Sequence, residues 1–172
     1  MKSLPTIIFT LFIVLFSTSL SASVYKVDEI KVYKTQHKME MLFKGKVTKV
    51  YTVMLGRGGM GPKQQAGDKK VPEGKYFLDI KNPYSKFYRS IHISYPGPAD
   101  IKRAEDAGVT PGQDIFIHGL PSYLANLEQF LDNQTLELLY IDWTAGCIAV
   151  QNSEMSEIWD NVEVPLPITI FH

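Results

Sequence analysis

The sequence contains one cysteine, Cys147. An internal disulfide is therefore excluded, and no thiol near the amino terminus is available for lipid attachment. Charge has no bias either: 18 Lys and Arg are matched by 18 Asp and Glu, which leaves no excess to draw the chain onto nucleic acid or an anionic membrane. The four histidines, His37, His92, His118 and His172, lack the close spacing of a zinc-ligand set. No metal and no cofactor are expected. The longest apolar run, from Ile7 to Phe16, is shorter than the ~20 residues a bilayer span requires. Internal repeats and low-complexity tracts are absent.

That short run has a context of its own. Lys2 precedes it and the small residues Ser21-Ala22-Ser23 follow it, the layout of a secretory signal peptide. Residues 1–23 are read as a signal peptide cleaved after Ser23, in preference to an uncleaved anchor. The mature chain, 24–172, is then expected to be exported with no stable membrane insertion. Its roughly 150 residues suit one domain with a single core.

Period-two alternation predicts half-buried strands at Ile30–Tyr33, Met39–Phe43 and Val47–Val53, the last two separated by Lys44-Gly45-Lys46. Further strand-like runs cover Gly74–Ile80, Ser90–Tyr95, Asp114–His118 and Pro167–Ile170. Three segments read as helices: Ala99–Ala107, ended by Gly108; Tyr123–Leu131, capped by Ser122; and Glu154–Trp159, capped by Asn152 or Ser153. The expected class is mainly β with a few short helices, as a sandwich or barrel. Gly56, Gly58 and Gly61 match the spacing G-x-G-x-x-G, but Pro62 follows at once and the strand, turn and helix of a dinucleotide site are missing. Residues 56–67 are read as a mobile loop whose glycines permit tight bends or close backbone approach.

A lone thiol in an exported chain is either an inert small hydrophobe or a nucleophile. As a nucleophile it needs a base, since a thiol with pKa near ~8.5 is mostly protonated at neutral pH. His118 closes a strand-like run and precedes Gly119, so a rigid edge presents the imidazole. Gly146 directly before Cys147 lets a carbonyl substrate approach backbone N–H groups that would hold an oxyanion. Thr144 and Tyr84 are taken as substrate-binding residues, Tyr84 with Tyr88 as an aromatic rim.

With these residues in place, the sequence resembles the bacterial L,D-transpeptidase catalytic domain, the YkuD family. His118-Gly119 and Thr144-Ala145-Gly146-Cys147-Ile148 carry the resemblance. The segments from Gly67 to Gly74, Lys81 to Phe87, Ile93 to Pro96 and Pro111 to His118 extend it to nearly the whole mature chain. It implies a single-domain mixed β-sandwich over 24–172, with Cys147 as acyl-accepting nucleophile and His118 as general base and acid. The Gly119 carbonyl would orient the imidazole, and the N–H groups of Gly146 and Cys147 would form the oxyanion hole. The implied partners are peptidoglycan stem peptides in the periplasm: the thiol attacks after the L-centre of meso-diaminopimelate, D-alanine leaves, and an amine resolves the thioester into a cross-link. Ala145 and Ala149 depart from the family, in which many members have histidine and arginine there. Two alternatives stand beside transpeptidation: the same site used with water as a carboxypeptidase or amide hydrolase, and a non-catalytic wall-binding module.

Overall fold

The computed structural model describes residues 25–121 and 141–172. The expected helix at Tyr123–Leu131 lies outside the described residues. Eight strands form one sheet: β1 (Glu29–Tyr33), β2 (Lys38–Phe43), β3 (Lys46–Thr52), β4 (Gly74–Ser85), β5 (Tyr88–Ile93), β6 (Ile115–His118), β7 (Ile148–Ala149) and β8 (Leu166–Phe171). Helix α1 (Pro98–Asp106) joins β5 to β6, and α2 (Asn152–Asn161) joins β7 to β8. The order across the sheet is β3-β2-β1-β8-β4-β5-β6-β7. Parallel pairs β1·β8 and β6·β7 interrupt an otherwise antiparallel arrangement.

Alternation dictates which side chains go inside. Along β1 the even positions Ile30 and Val32 are fully buried, and on β8 their register partners Ile168 and Ile170 are buried beside them. One cluster of buried side chains runs from Met39 and Met41 on β2 to Ile91 and Ile93 on β5, Ile117 on β6 and Ile148 on β7. The sheet curls to enclose it. Met54, just beyond the edge strand β3, exchanges both backbone hydrogen bonds with Ala149 on the opposite edge strand β7, at 2.9 and 2.8 Å. The expected mainly-β single core is thus one continuous sheet folded over on itself.

The elements differ from the sequence reading at informative places. β4 extends five residues past Ile80, because its first half pairs with β8 and its second with β5; the register is irregular between Asn82 and Ser85, around Pro83, which has no N–H to give. Helix α2 begins at Asn152, with Glu154 accepting the Gln151 N–H at 3.0 Å. The glycine loop is held against its neighbours by close contacts and hydrogen bonds. A side chain on Gly56 or Gly58 would run into the carbonyls of Lys69 and Asp68, each 2.1 Å from the added carbon. The buried Lys34 ammonium donates to the Gly61 carbonyl at 3.0 Å. Asp68 accepts from Lys63 Nζ at 2.8 Å and from the N–H groups of Gln64, Gln65 and Lys70. Burial pushes the Asp68 carboxyl up, but the Lys63 ammonium and those three N–H donors outweigh it and hold its pKa at about 2. Close backbone packing is the use Gly56 and Gly58 serve, whereas Gly59 and Gly67 supply turns at φ +87° and +78°.

Candidate active site

Register brings the two candidate groups together. β6 and β7 run parallel, with Ile117 opposite Ile148 and His118 opposite Ala149. Side chains alternate faces, so Ile117 and Ile148 enter the core while His118 shares the other face with Phe116. Two residues back from Ala149 the chain returns to that face at Cys147. Both groups line one cleft of about 390 Å³, walled by Asn82, Tyr84 and Phe87 from the β4–β5 hairpin and by Asp114 and Phe116 from β6 and its entry.

His118 is 2% exposed. Its Nδ1 lies 2.7 Å from the Gly119 carbonyl oxygen. A carbonyl only accepts, so Nδ1 carries the proton and Nε2 is left with its lone pair. Phe87 stacks on the ring, centroids 4.5 Å apart at 28°, and Trp143 meets it edge-on at 5.6 Å and 65°. Burial among these rings disfavours the imidazolium and, against the opposing bond to Gly119, lowers the His118 pKa to about 4. The imidazole is therefore neutral at physiological pH.

The Gly119 carbonyl is itself held in place. Gly119 N–H donates to Phe87 O at 3.1 Å, and Asn152 Oδ1 accepts the Leu120 N–H at 2.9 Å. A Cβ on Gly119 would lie 2.4 Å from that same Asn152 oxygen. The His-Gly pair is needed because only glycine lets the strand end pass this close to α2.

Cys147 Sγ lies 3.6 Å from the Asp114 carbonyl oxygen, which suits a protonated thiol. Burial raises its pKa, with a smaller opposing effect from the Phe116 backbone. The resting pair is accordingly thiol and imidazole. Gly146 before it has φ +126°, and an added Cβ would meet the Lys70 carbonyl oxygen at 2.9 Å, so glycine is required on both counts.

Thr144 sits inside the loop, not on the cleft wall. It is 3% exposed, its Oγ1 donates to the Cys147 carbonyl at 2.8 Å and accepts the Gly146 N–H at 3.1 Å. With both bonds made, the hydroxyl braces the turn that leads into Cys147. The same bond engages the Gly146 N–H that was expected in the oxyanion hole. Tyr84 does line the cleft and is 92% exposed. Ala149 is fully buried beside Met54 and Leu120, with Trp143 packed against them. Sequence reasoning missed Phe87 and Trp143 against the imidazole, and Asn152 behind it. The aromatic cluster around Tyr84 hinted at the first; nothing in the local sequence distinguished the other two.

The sequence matches the YkuD family, described as the L,D-transpeptidase catalytic domain, over residues 28–170. An Escherichia coli (strain K12) protein named as an L,D-transpeptidase, YafK, is 29% identical over 96 residues, 52% of this chain and 37% of that protein. A mutant form of the helical cell shape determining protein Pgp2 from Campylobacter jejuni superposes with a TM-score of 0.58 at 25% identity, covering 84% of this chain and 46% of that one. An L,D-transpeptidase from Xylanimonas cellulosilytica DSM 15894 shares the fold, with a TM-score of 0.55 at 13% identity, over 88% of this chain and 63% of that one. The chain spans less than half the length of YafK and of the Pgp2 chain.

Proposed function

Because this chain belongs to the L,D-transpeptidase catalytic-domain family, we propose that it is a periplasmic cysteine acyltransferase that cross-links or remodels peptidoglycan through its stem peptides. The observation that carries this reading is the pairing itself: a buried imidazole, its Nδ1–H held 2.7 Å from the Gly119 carbonyl, shares one cleft with the chain's single thiol. Nε2 of His118 takes the thiol proton as Cys147 Sγ attacks the carbonyl carbon at the L-centre of meso-diaminopimelate. The Cys147 N–H donates to the resulting oxyanion, and the Gly146 N–H joins it by turning from Thr144 Oγ1. Collapse breaks the C–N bond, and the proton on Nε2 passes to the departing D-alanine amine, leaving a thioester. The amine of a second stem then attacks, His118 accepts its proton, and the thiol is regenerated with a new amide bond. Water in place of the amine releases a shortened stem. Tyr84, on the open rim, is assigned to substrate contact.

Export follows from residues 1–23 acting as a signal peptide cleaved after Ser23. A role in cell-wall biogenesis and cell shape fits a relative that determines helical cell shape. The test is incubation of the mature protein with disaccharide tetrapeptide and mass analysis of the products. Cross-linked dimer is expected, whereas tripeptide alone assigns hydrolysis. Cys147→Ser is expected to abolish both while leaving the far-UV spectrum unchanged. Turnover that survives in Cys147→Ser overturns the thioester mechanism, and no product from the parent chain favours a wall-binding module.

A further inference from the structure

Asp142, Trp143 and Thr144 run beside the cleft, yet none of the three lines it. Each makes a different contact. The Trp143 ring packs edge-on to the His118 imidazole, and its Nε1–H donates to Met54 Sδ at 3.3 Å. Thr144 closes the nucleophile turn through the Gly146 N–H and the Cys147 carbonyl. Asp142 touches neither catalytic group. Its Oδ1 accepts the Leu55 N–H at 2.7 Å, and both its oxygens lie 3.1 Å from His37 Nε2. A carboxylate has no proton to give, so Nε2–H is the donor.

The two neighbours of Trp143 are gripped by one residue: Leu55 donates to the Asp142 side chain and its carbonyl accepts the Thr144 N–H at 3.1 Å. His37 is a firm anchor for the far side of Asp142. It stands in the left-handed region at φ 46°, at the turn between β1 and β2. Its own N–H donates to the Lys34 carbonyl at 3.0 Å and its carbonyl accepts the Val53 N–H at 2.8 Å. The pair is partly shielded, with side chains 34% and 20% exposed.

We propose that the His37–Asp142 contact is a remote clip that positions both catalytic groups at once, the base through Trp143 and the nucleophile through Thr144. His37 and Asp142 are positioning residues, and the proposal rests on the reading of Cys147 and His118 as a catalytic pair. The physical reason is that three consecutive residues share one backbone. A shift of the Asp142 peptide moves the indole on the imidazole and the hydroxyl on the Cys147 carbonyl together, and about 1 Å of misplacement costs on the order of a hundredfold in rate.

The test uses the mature chain carrying His37→Leu, which deletes the donor, and His37→Gln, which retains an N–H. Two readouts are followed: the second-order rate of iodoacetamide alkylation at Cys147, and the emission of Trp143 in a Trp159→Phe background. His37→Leu is expected to slow alkylation about tenfold and shift the emission, and His37→Gln to restore most of both. Asp142→Asn, which keeps an acceptor for Leu55 but replaces the carboxylate facing His37 Nε2, is expected to fall between them. Parent-like rates and emission in His37→Leu overturn the proposal, as do equal losses in the Leu and Gln variants, the pattern of a merely structural contact. Alkylation needs no peptidoglycan. The clip is therefore judged separately from the substrate assignment, which fails alone if the parent chain alkylates normally but ignores stem peptides.

Discussion

At the scale of the residue, the chemistry turns on where two protons reside before substrate arrives. Burial lowers the pKa of His118 to about 4 and raises that of Cys147, so both act against a resting thiolate–imidazolium pair. At rest the cleft holds a neutral thiol and a neutral imidazole. A stability consequence follows, with its sign set by the depressed imidazole. An unfolded chain protonates this histidine near ~6.5, the native chain only near 4, so between those values the unfolded state binds the extra proton. Stability is therefore fully present above the upper value and declines as pH falls toward the lower one. Urea denaturation is expected to show about 2 kcal/mol lost to this group between about pH 7 and about pH 4.5. His118→Gln is expected to flatten that slope. An unchanged slope would mean the imidazole takes up its proton as readily in the native cleft as in water. Asp68, held at about 2, titrates below this window.

At the scale of the element, the site is assembled from strand ends and the turns that follow them. β6 delivers His118, the turn before β7 delivers Cys147, and the first residue of α2 reaches back to fix the carbonyl between them. Asn152 is the most telling member of this set. It was expected only as a helix cap, yet its side chain accepts the Leu120 N–H, and the helix starts with Glu154 doing the capping. Asn152→Ala leaves a buried N–H without its acceptor and is expected to cost about 1–3 kcal/mol. Turnover is expected to drop further than that loss of stability explains, because the Gly119 carbonyl loses its support. Chemical denaturation set beside kcat measures both effects. The mutation's failure to affect kcat would separate Asn152 from the orientation of His118.

At the scale of the whole molecule, a single core is wrapped by a sheet whose two edges meet at Met54 and Ala149. The strands that carry the candidate site are the last two of that sheet, so the cleft is backed by the core behind it. Ile117 stands at the junction: fully buried, paired with Ile91 on one side and Ile148 on the other, one residue before His118. Ile117→Ala is expected to destabilise the fold by about 2–5 kcal/mol. With one shared core the loss is cooperative, and far-UV circular dichroism and tryptophan emission are expected to report the same transition. Two separated transitions would contradict a single unit. The described residues of the candidate site sit on this sheet and the turns beside it, and the chain spans less than half the length of YafK and Pgp2.

Local sequence determined the strands that alternate cleanly, the two described helices, and the residue types of the site. A lone cysteine after glycine and a histidine before glycine mark a candidate site without coordinates, because nucleophile, base and close backbone approach each demand a particular side chain. Tertiary structure alone decided what surrounds them. Thr144 turned out to be buried, Gly56 and Gly58 turned out to pack against the Lys69 and Asp68 carbonyls, and His37 found Asp142 105 positions away, because each outcome depends on which backbone groups the curled sheet brings alongside. β7 was equally invisible: two residues hold no periodicity, and only pairing with β6 makes them a strand. Covalent neighbours set what a residue is able to do, and the partners that orient it come from chain closure.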